Sequence, residues 1–479
     1  MRRCGTSLLV IGATLALLMP SALSAAKLKF EQAFDIGGEP SFAITQDTDG
    51  FLWFGSFFKG LVRYDGTSVK QFTEGPGSIP SDFVTQIFED SNGHLWIGTN
   101  SGLSRYDKLT GTFTNFFKDP ASPQTSLASN TFNLSSRTIV EDQAGTLWFG
   151  TQNGLSRFAP ETQTFANFWH DPDDTNSLTS NDIYSVFEDR NGRLWLGTKH
   201  HGVTRLDIDA GQFTRFRHDP EDPRSLPSDE IQAIVEDQQG DLWLASRDNG
   251  LIRFDHDTGV FTHFRNDPAD ASSLPQMSIC DLTLSQDGRL ILIPSIEAAG
   301  LIFFDPRDQT YEHYRSQPGD PFSFSSDTIQ GALEDRSGIL WITDNAGKVD
   351  KADPKAHRFN LYVNNPFDPT SLASNAPLPI YEDRQGTVWL GNFGAGLDRY
   401  NPATDDFTHF TPDPADSTTL PHGYPAGFYE DHLGNFIVST AEGMVIFDRD
   451  TGKVTKRLTD NTWLYTIIQD TDDLDVVWA

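Results

Sequence analysis

The sequence predicts an all-β protein, a β-propeller whose blades are four-stranded antiparallel sheets. The first observation is a phrase close to Glu-Asp-x-x-Gly-x-Leu-Trp-x-Gly-Thr that recurs along the 479 residues. The second is its period, 43 to 52 residues between successive Trp slots, which is typical of propeller blades. The third is that each period contains four β-patterned runs. The Trp slot holds Trp53, Trp96, Trp148, Trp195, Trp243, Ile291, Trp341, Trp389 and Ile437.

The first 25 residues predict a secretory signal peptide. Arg2 and Arg3 precede an apolar run at residues 8–18, and small residues follow at 21–26. The apolar run is too short for a stable membrane span, so we expect cleavage near residues 24–26. The mature chain is therefore predicted to be periplasmic.

The unit at residues 180–219 shows how one blade is built. It contains four runs with strand character, separated by turns rich in Asn, Asp and Gly. A longer connector then leads to the next unit. Four antiparallel strands and a connector make one propeller blade. The four runs are 182–188, 194–198, 203–207 and 212–216.

The recurrent residues have predicted structural roles. The Trp is expected to fill the space between blades, where burial of about 200 Å² contributes at most roughly 5 kcal/mol. The Gly after it allows close packing of blades. The paired acids are expected to form turns, because neighbouring residues of a strand point to opposite faces and do not act as an acid/base pair. Arg on the third strand is expected to pair with these acids, between strands or blades. The recurrent arginines are Arg63, Arg105, Arg157, Arg205, Arg253 and Arg399.

Nine repeat units can be recognised in the sequence, and a tenth begins at residue 464. Residues 28–34 look like a fourth strand that lacks the first three, and they would complete the unit around Trp341. This predicts one seven-bladed ring at residues 27–355. Residues 356–479 would then be an incomplete second ring, opened by residues 357–362. A single eight-bladed ring is the main alternative.

Charge and composition restrict the partners. Asp and Glu number 67 against 36 Lys and Arg, a net charge of −31. Such a surface argues against nucleic acid and anionic membranes, and it suits neutral or cationic ligands or simply solubility. No segment of the mature chain is long and apolar enough to span a bilayer. Only Cys280 remains after cleavage, so no internal disulfide is expected.

The repeated phrase, extended to Glu-Asp-x-x-Gly-x-Leu-Trp-x-Gly-Thr-x-x-Gly-Leu-x-Arg, resembles the two-component regulator propeller over about residues 40–450. This resemblance implies an input module from the extracytoplasmic sensor region of a bacterial signalling receptor. In that family two seven-bladed rings typically precede an immunoglobulin-like domain, a membrane helix and a histidine kinase or diguanylate cyclase. The motifs of those output domains are absent from this sequence, so the chain itself is not expected to be the enzyme. The resemblance also implies signalling through a homodimer of the full-length receptor.

A ligand is expected at one mouth of the ring, where loops after the second strand and loops between blades meet. Most of the former loops contain a variant of Asn-Gly, and the exceptions are the candidate site. Aromatic and charged side chains at one mouth suit a sugar or a peptide, whereas the alternative is ordinary solvated loops. The candidate ligand-binding residues are Phe57, Phe58, Lys59, Lys199, His200, His201, Arg247, Asp248, Glu297 and Phe393.

Other chemistry receives little support from the sequence. Adjacent His200 and His201 diverge and have no further ligand at metal-site spacing. Residues 47–50 resemble a calcium loop only superficially, because the later Glu is missing and the other repeats have the same turn. No nucleophile elbow or phosphate loop is present. We therefore predict no metal, no cofactor and no catalytic residue.

Three functions remain open at this point. The first is a ligand-sensing input module that binds a small molecule or an oligosaccharide. The second is a propeller enzyme, a polysaccharide lyase or a glycosidase, for which Glu297 and Asp248 are the weak candidate acids. The third is a protein-interaction platform without a small ligand.

Overall fold

A computed structural model describes residues 28–134, 137–270, 273–275, 278–294, 299–320, 322–354 and 362–459, together with the backbone of 468–469 and 477–478. These residues form nine four-stranded antiparallel sheets and one two-stranded pairing. The predicted all-β propeller architecture of four-stranded blades is confirmed. The signal peptide, Glu297 and residues 357–361 lie outside the described residues.

Blades 1 to 6 consist of four consecutive strands each. The first strand of the chain, β1 at Phe30–Asp35, belongs to blade 7. Blades 1 to 3 consist of β2 to β5 at Ser41–Gln46, Leu52–Ser56, Leu61–Tyr64 and Val69–Phe72; β6 to β9 at Val84–Glu89, His94–Thr99, Leu103–Asp107 and Thr112–Phe116; and β10 to β13 at Ile139–Glu141, Leu147–Thr151, Gly154–Ala159 and Thr164–Phe168. Blades 4 to 6 consist of β14 to β17 at Ile183–Glu188, Arg193–Thr198, Val203–Asp207 and Gln212–Phe216; β18 to β21 at Ile231–Glu236, Leu242–Ser246, Gly250–Asp255 and Val260–Phe264; and β22 to β25 at Ile279–Leu284, Leu290–Pro294, Leu301–Asp305 and Thr310–Tyr314.

The remaining strands build blades 7, 8 and 9 and a short pair. Blade 7 has the order β1-β28-β27-β26, so the first strand of the chain is its fourth strand. This is the position that the sequence predicted for residues 28–34. Blade 7 also contains β26 to β28 at Ile329–Glu334, Leu340–Asp344 and Lys348–Ala352. Blade 8 consists of β29 to β32 at Pro377–Glu382, Val388–Asn392, Gly396–Asn401 and Asp406–Phe410, and blade 9 of β33 to β36 at Pro425–Glu430, Phe436–Thr440, Gly443–Asp448 and Lys453–Arg457. The short pair is β37 and β38 at Ile468–Gln469 and Val477–Trp478.

The recurrent Trp fills the space between blades, as predicted. Trp195 is fully buried in a cluster with Ile231, Leu242 and Leu244 of the next blade. The Asp of the paired acids orders the turn and also accepts the indole N–H, a bond that the sequence reasoning did not anticipate. The seven pairs, with Nε1–Oδ2 distances of 2.7 to 3.0 Å, are Asp47–Trp53, Asp90–Trp96, Asp142–Trp148, Asp189–Trp195, Asp237–Trp243, Asp335–Trp341 and Asp383–Trp389.

The Glu of the paired acids joins neighbouring blades. Its carboxylate accepts a backbone N–H from the turn of the preceding blade, so a single residue ties two sheets together. In blade 1 the slot holds Gln46, and its Oε1 accepts the N–H of Arg336 in blade 7 at 2.9 Å. Blade 7 therefore contacts blade 1. The other bonds are Thr48 to Glu89, Ser91 to Glu141, Gln143 to Glu188, Arg190 to Glu236, Gln286 to Glu334 and Arg384 to Glu430.

The predicted pairing of the third-strand arginines with acids is wrong for most of them. Arg205 lies directly opposite Trp195 in the ladder, and its guanidinium carbon is 5.7 Å from the indole centroid. Arg105 and Arg157 occupy the same place over Trp96 and Trp148. These arginines lie over the indole rings instead, a cation–π arrangement. Arg253 does approach an acid, with 3.8 Å to Asp241.

The Gly after the Trp is required by the close approach of blades. A Cβ added at Gly150 would lie 2.7 Å from Ile183 Cγ2 and 2.8 Å from Val186 Cγ2, both in the next blade. We expect Gly150→Ala to destabilise the protein by about 1–3 kcal/mol through overpacking, measured by chemical denaturation. Gly75→Ala is the control, since a Cβ there meets nothing within 4 Å. An equal effect of both changes would contradict this packing role.

The first strands of the blades approach one another across the middle of the molecule. Arg137, which precedes β10 in blade 3, donates from Nη2 to Thr283 Oγ1 of blade 6 at 2.6 Å. Its carbonyl accepts the N–H of Val186 in blade 4. The first strand of each blade from 1 to 7 contacts that of the next, and the described loops that follow the second strands of these blades lie at one end of the strands.

Candidate functional site

An aromatic stack stands at this end between blades 1 and 2. Phe57 lies between Phe42 and Phe83, with ring centroids 4.4 Å and 4.3 Å apart and nearly parallel planes. Phe58 meets Phe57 and Phe83 edge-on and is 63% exposed. An exposed phenyl group supported by three others is a rigid apolar surface that can pack against the flat face of a ligand.

Local chain geometry positions the stack. The N–H of Phe57 donates to the carbonyl of Pro40, and the N–H of Ser56 donates to the carbonyl of Gly60 across a tight loop. Gly60 has φ of +72°, and a Cβ there would lie 2.3 Å from the carbonyl oxygen of Phe72. Only glycine fits this turn, which directs Phe58 outward.

A charged group occupies the same level in blades 4 and 5. Lys199 and Arg247 follow β15 and β19 at the register that Phe57 has after β3. Both act on Tyr184 in β14, which has the position of Phe42 in blade 1. Burial and the neighbouring Asp182 carboxylate raise the pKa of Tyr184, and the positive charges of Lys199 and Arg247 oppose that rise. The phenol is therefore protonated at neutral pH and can donate a hydrogen bond.

The adjacent histidines lie in the loop after β15. His200 and His201 are exposed, and the N–H of His201 donates to Thr198 Oγ1. Partial burial and the charge of Arg217 lower the pKa of His201, so the imidazole is neutral at pH 7. Among the described residues, no group of three His, Cys, Asp or Glu side chains is arranged to hold a metal ion.

Asp248 has an engaged carboxylate. The hydroxyls of Ser228 and Ser246 donate to its Oδ1 at 2.5 Å and 2.7 Å. Because these bonds hold the loop after β19, the geometry favours a positioning role for Asp248. Lys59 follows the stack and is partly buried beside Gly37.

Phe393 belongs to blade 8 and forms a separate feature. Its ring is 52% exposed and stacks on Tyr424 at 4.3 Å, the arrangement that Phe57 and Phe83 have in blades 1 and 2. His422 contacts the same tyrosine at 4.5 Å. A cavity of about 530 Å³ adjoins this pair and is lined partly by Arg457 and Glu442.

The candidate residues thus fall into three groups: the aromatic stack, the charged group and the Phe393 pair. Sequence reasoning missed Phe42, Phe83, Tyr184, Asp182 and Tyr424, which complete these groups. Their signal was available, because each stands at or just before the first strand, where aromatic residues also depart from the repeat. The described part of the chain contains no helix that could cross a bilayer.

Comparison with known proteins agrees with this architecture. Residues 78–101, 130–153, 177–200 and 225–248 match the family model described as Two component regulator propeller. Each match includes a candidate loop or its equivalent. The fold is a β-propeller, and these four segments match the two-component regulator propeller repeat.

The chain also resembles a histidine kinase and the extracellular domain of a two component system. The chain is 28% identical over 176 residues to Histidine kinase P4 of Formosa agariphila, which covers 34% of this chain and 12% of that protein. The extracellular domain of BT3049, named as a hybrid two component system of B. thetaiotaomicron, is similar with a TM-score of 0.64 and 21% identity. That match covers 93% of this chain and 63% of the other. The chain therefore spans only part of these proteins.

Two further solved structures show the same fold. The extracellular domain of BT4673, from the same organism, has a TM-score of 0.53, 20% identity and coverage of 93% of this chain and 64% of its own. Virginiamycin B lyase from Staphylococcus aureus has a TM-score of 0.50 and 16% identity, with coverage of 68% and 98%. At these identities the likeness concerns the fold alone, and the similar structures include both extracellular domains and an enzyme.

Proposed function

We propose that this protein is the extracytoplasmic input module of a bacterial signal-transduction receptor. Blades 1 to 7, residues 27–355, form one seven-bladed ring in this proposal, and residues 356–479 belong to a second. The observation that carries it is the family match of the four repeats, supported by the similarity to extracellular domains that are named as parts of a two component and a one component system. The contact of blade 7 with blade 1 through Arg336 and Gln46 supports the ring.

The ligand in this proposal is a small molecule or an oligosaccharide that binds at the mouth of the first ring. The aromatic stack supplies a flat apolar surface for a sugar ring, and Tyr184 and Lys199 supply hydrogen-bond donors for hydroxyl or carbonyl oxygens. The role is recognition without catalysis, and the signal passes on through dimerisation of the full-length receptor. The signal peptide at residues 1–25 would deliver the chain to the periplasm.

A thermal-shift screen of the mature chain tests this function. Plant and microbial oligosaccharides, peptides and divalent ions serve as probes, and we expect an oligosaccharide to raise the melting temperature, because binding to the native state stabilises it. Phe58→Ala and Lys199→Ala should each reduce that shift by at least half. Leu109→Ala is the control, since Leu109 is 99% exposed in the turn after β8, at the other end of the strands.

Two results would contradict the proposal. The first is a screen without any shift on a sample that unfolds cooperatively, which would favour a protein partner. The second is a ligand whose shift of the melting temperature is unchanged in Phe58→Ala and Lys199→Ala but is abolished by a substitution outside this mouth. Neither result would contradict the propeller fold; both would reject the proposed ligand site.

A further inference from the structure

The connector that leads into blade 9 departs from the other connectors at two adjacent residues, His422 and Gly423. In six other blades these places hold Ser followed by Asp or Asn, as at Ser228 and Asp229. The Ser hydroxyl accepts the backbone N–H two residues later, and the Asp or Asn side chain accepts a backbone N–H from the start of the same connector. Gly423 has no side chain for the second bond. The six pairs are Ser81-Asp82, Ser129-Asn130, Ser180-Asn181, Ser228-Asp229, Ser326-Asp327 and Ser374-Asn375.

The backbone donor of that second bond is missing from this connector as well. Its place holds Pro412, which has no N–H. A Cβ added at Gly423 would lie 3.1 Å from the carbonyl oxygen of Gly394 and 3.5 Å from Cγ of Pro412, so these three residues adjoin one another. All three line the cavity of about 530 Å³ beside the Phe393 pair. The cavity therefore lies where the other connectors place a hydrogen-bonded Asp or Asn side chain.

Aromatic rings stand at the edge of this cavity. Phe393 and Tyr424 occupy the places that Phe57 and Phe83 have in blades 1 and 2, and the ring centroids are 4.3 Å apart in both pairs. In both loops the Phe N–H donates to the carbonyl of the residue just before the first strand of its own blade. Because 52% of Phe393 is exposed, the pair offers a supported apolar surface beside the cavity.

His422 supplies a polar group that lacks a partner. Its imidazole lies 4.5 Å from the ring of Tyr424, between centroids. The Nδ1 atom is buried, and no group in the described part of the chain forms a hydrogen bond with it. A buried polar atom without a partner is costly, and an imidazole nitrogen can either donate or accept. A ligand hydroxyl in the cavity would satisfy this atom, and the Glu442 carboxylate at the same cavity is a further acceptor.

We infer that Phe393, His422, Tyr424 and Glu442, which we call the blade 9 site, bind an uncharged pyranose sugar. A pyranose ring has a flat face of C–H groups that packs on an aromatic ring, and its hydroxyls both donate and accept hydrogen bonds. The carboxylates that line the cavity oppose an anionic sugar, and Arg457 beside them opposes a cation. This site goes beyond the proposed function and does not rest on it, because none of its residues belongs to blades 1 to 7.

Two substitutions remove the site by installing residues that other repeats carry. His422→Ser gives the residue of the six other connectors. Phe393→Asn gives the residue at the same place in blade 2, Asn100, whose N–H makes the same backbone bond. Both variants should therefore keep the melting temperature of the unmodified protein. Glu442→Gln changes only the charge of an exposed side chain. Leu433→Asn is the control, since Leu433 is 72% exposed in the turn before β34, at the other end of the strands.

Saturation-transfer NMR of the mature chain with the methyl pyranosides of glucose, galactose, mannose and xylose tests this site. Every sample carries Phe58→Ala, which weakens the mouth of the first ring. We expect at least one pyranoside to give a signal. Its Kd should rise at least about fivefold in Phe393→Asn and in His422→Ser, and about threefold in Glu442→Gln, because an aromatic contact, a hydrogen bond and a charged acceptor are lost in turn. Leu433→Asn should leave the Kd unchanged.

Three results overturn the inference. They are the absence of any pyranoside signal on a chain that unfolds cooperatively, a Kd that is unchanged in Phe393→Asn or His422→Ser, and binding of choline in place of the pyranosides. If either loop variant fails to unfold cooperatively, Glu442→Gln decides in its place, and an unchanged Kd there overturns the inference. Because Phe58→Ala is present throughout, each of these results leaves the proposed site of the first ring untouched.

Discussion

Trp195→Ala is expected to lower the free energy of unfolding by about 3–5 kcal/mol, because it empties a fully buried site between blades 4 and 5. The indole touches Phe216 at 5.4 Å and Phe254 at 5.1 Å, so its removal leaves a cavity on both sides of the interface. It also leaves Asp189, 1% exposed, without the indole N–H that its Oδ2 accepts. Chemical denaturation of the mature chain measures the change.

His201→Ala is the control for this variant. The imidazole is exposed, so its removal should change stability by no more than about 0.5 kcal/mol. Equal melting temperatures of Trp195→Ala and the unmodified protein would contradict the assignment of the recurrent Trp to the core between blades.

Phe30→Ala is expected to cost a similar amount, about 3–5 kcal/mol. Phe30 lies in β1, is 2% exposed, and packs edge-on against Phe324 at 5.0 Å and Tyr314 at 6.2 Å. Because β1 completes blade 7 with residues from the start of the chain, this side chain holds the two ends of residues 28–354 together. Its loss should lower the melting temperature and make blade 7 accessible to proteolysis.

Glu31→Ala is the matched control in the same strand. Its carboxylate is mostly exposed and pairs with Lys351 at 3.0 Å, an interaction worth little at a surface. If Phe30→Ala and Glu31→Ala had the same stability, β1 would not contribute to the closure of blade 7.

The repeat made the architecture predictable from the sequence. Trp195, Gly197 and the turn at residues 189–192 each have one local role, and the recurrence of such roles along the chain leaves little freedom for the fold. The function of Glu188 was not predictable in this way, because its partner is a backbone N–H some 45 residues away, in another blade. Arg205 was assigned to an acid because charge is visible in a sequence, whereas the prior use of the Asp189 carboxylate by Trp195 is visible only in the structure.

The candidate site was predictable only in part. The loops after the second strand that lack the usual Asn-Gly sequence identified Phe57, Phe58, Lys199 and Arg247 as candidates. Their neighbours Phe42, Phe83 and Tyr184 lie in or just before first strands. Their departure from the repeat was visible in the sequence, but nothing in the sequence pairs them with the loops that follow the second strands. Phe393 resembles Phe57 in register, but it lies in blade 8 and stacks on Tyr424, so it belongs to a separate feature from the aromatic stack of blades 1 and 2.

Amide hydrogen exchange with and without the ligand found by the thermal-shift screen tests the central claim most directly. If the ligand binds at the mouth of the first ring, protection should concentrate in peptides that contain residues 57–60, 83–85, 182–185, 199–201 and 247–248. Peptides from the turns at residues 90–93 and 189–192, at the other end of the strands, should exchange at unchanged rates. Protection confined to those turns, or to blades 8 and 9, would contradict a sensing site at this mouth.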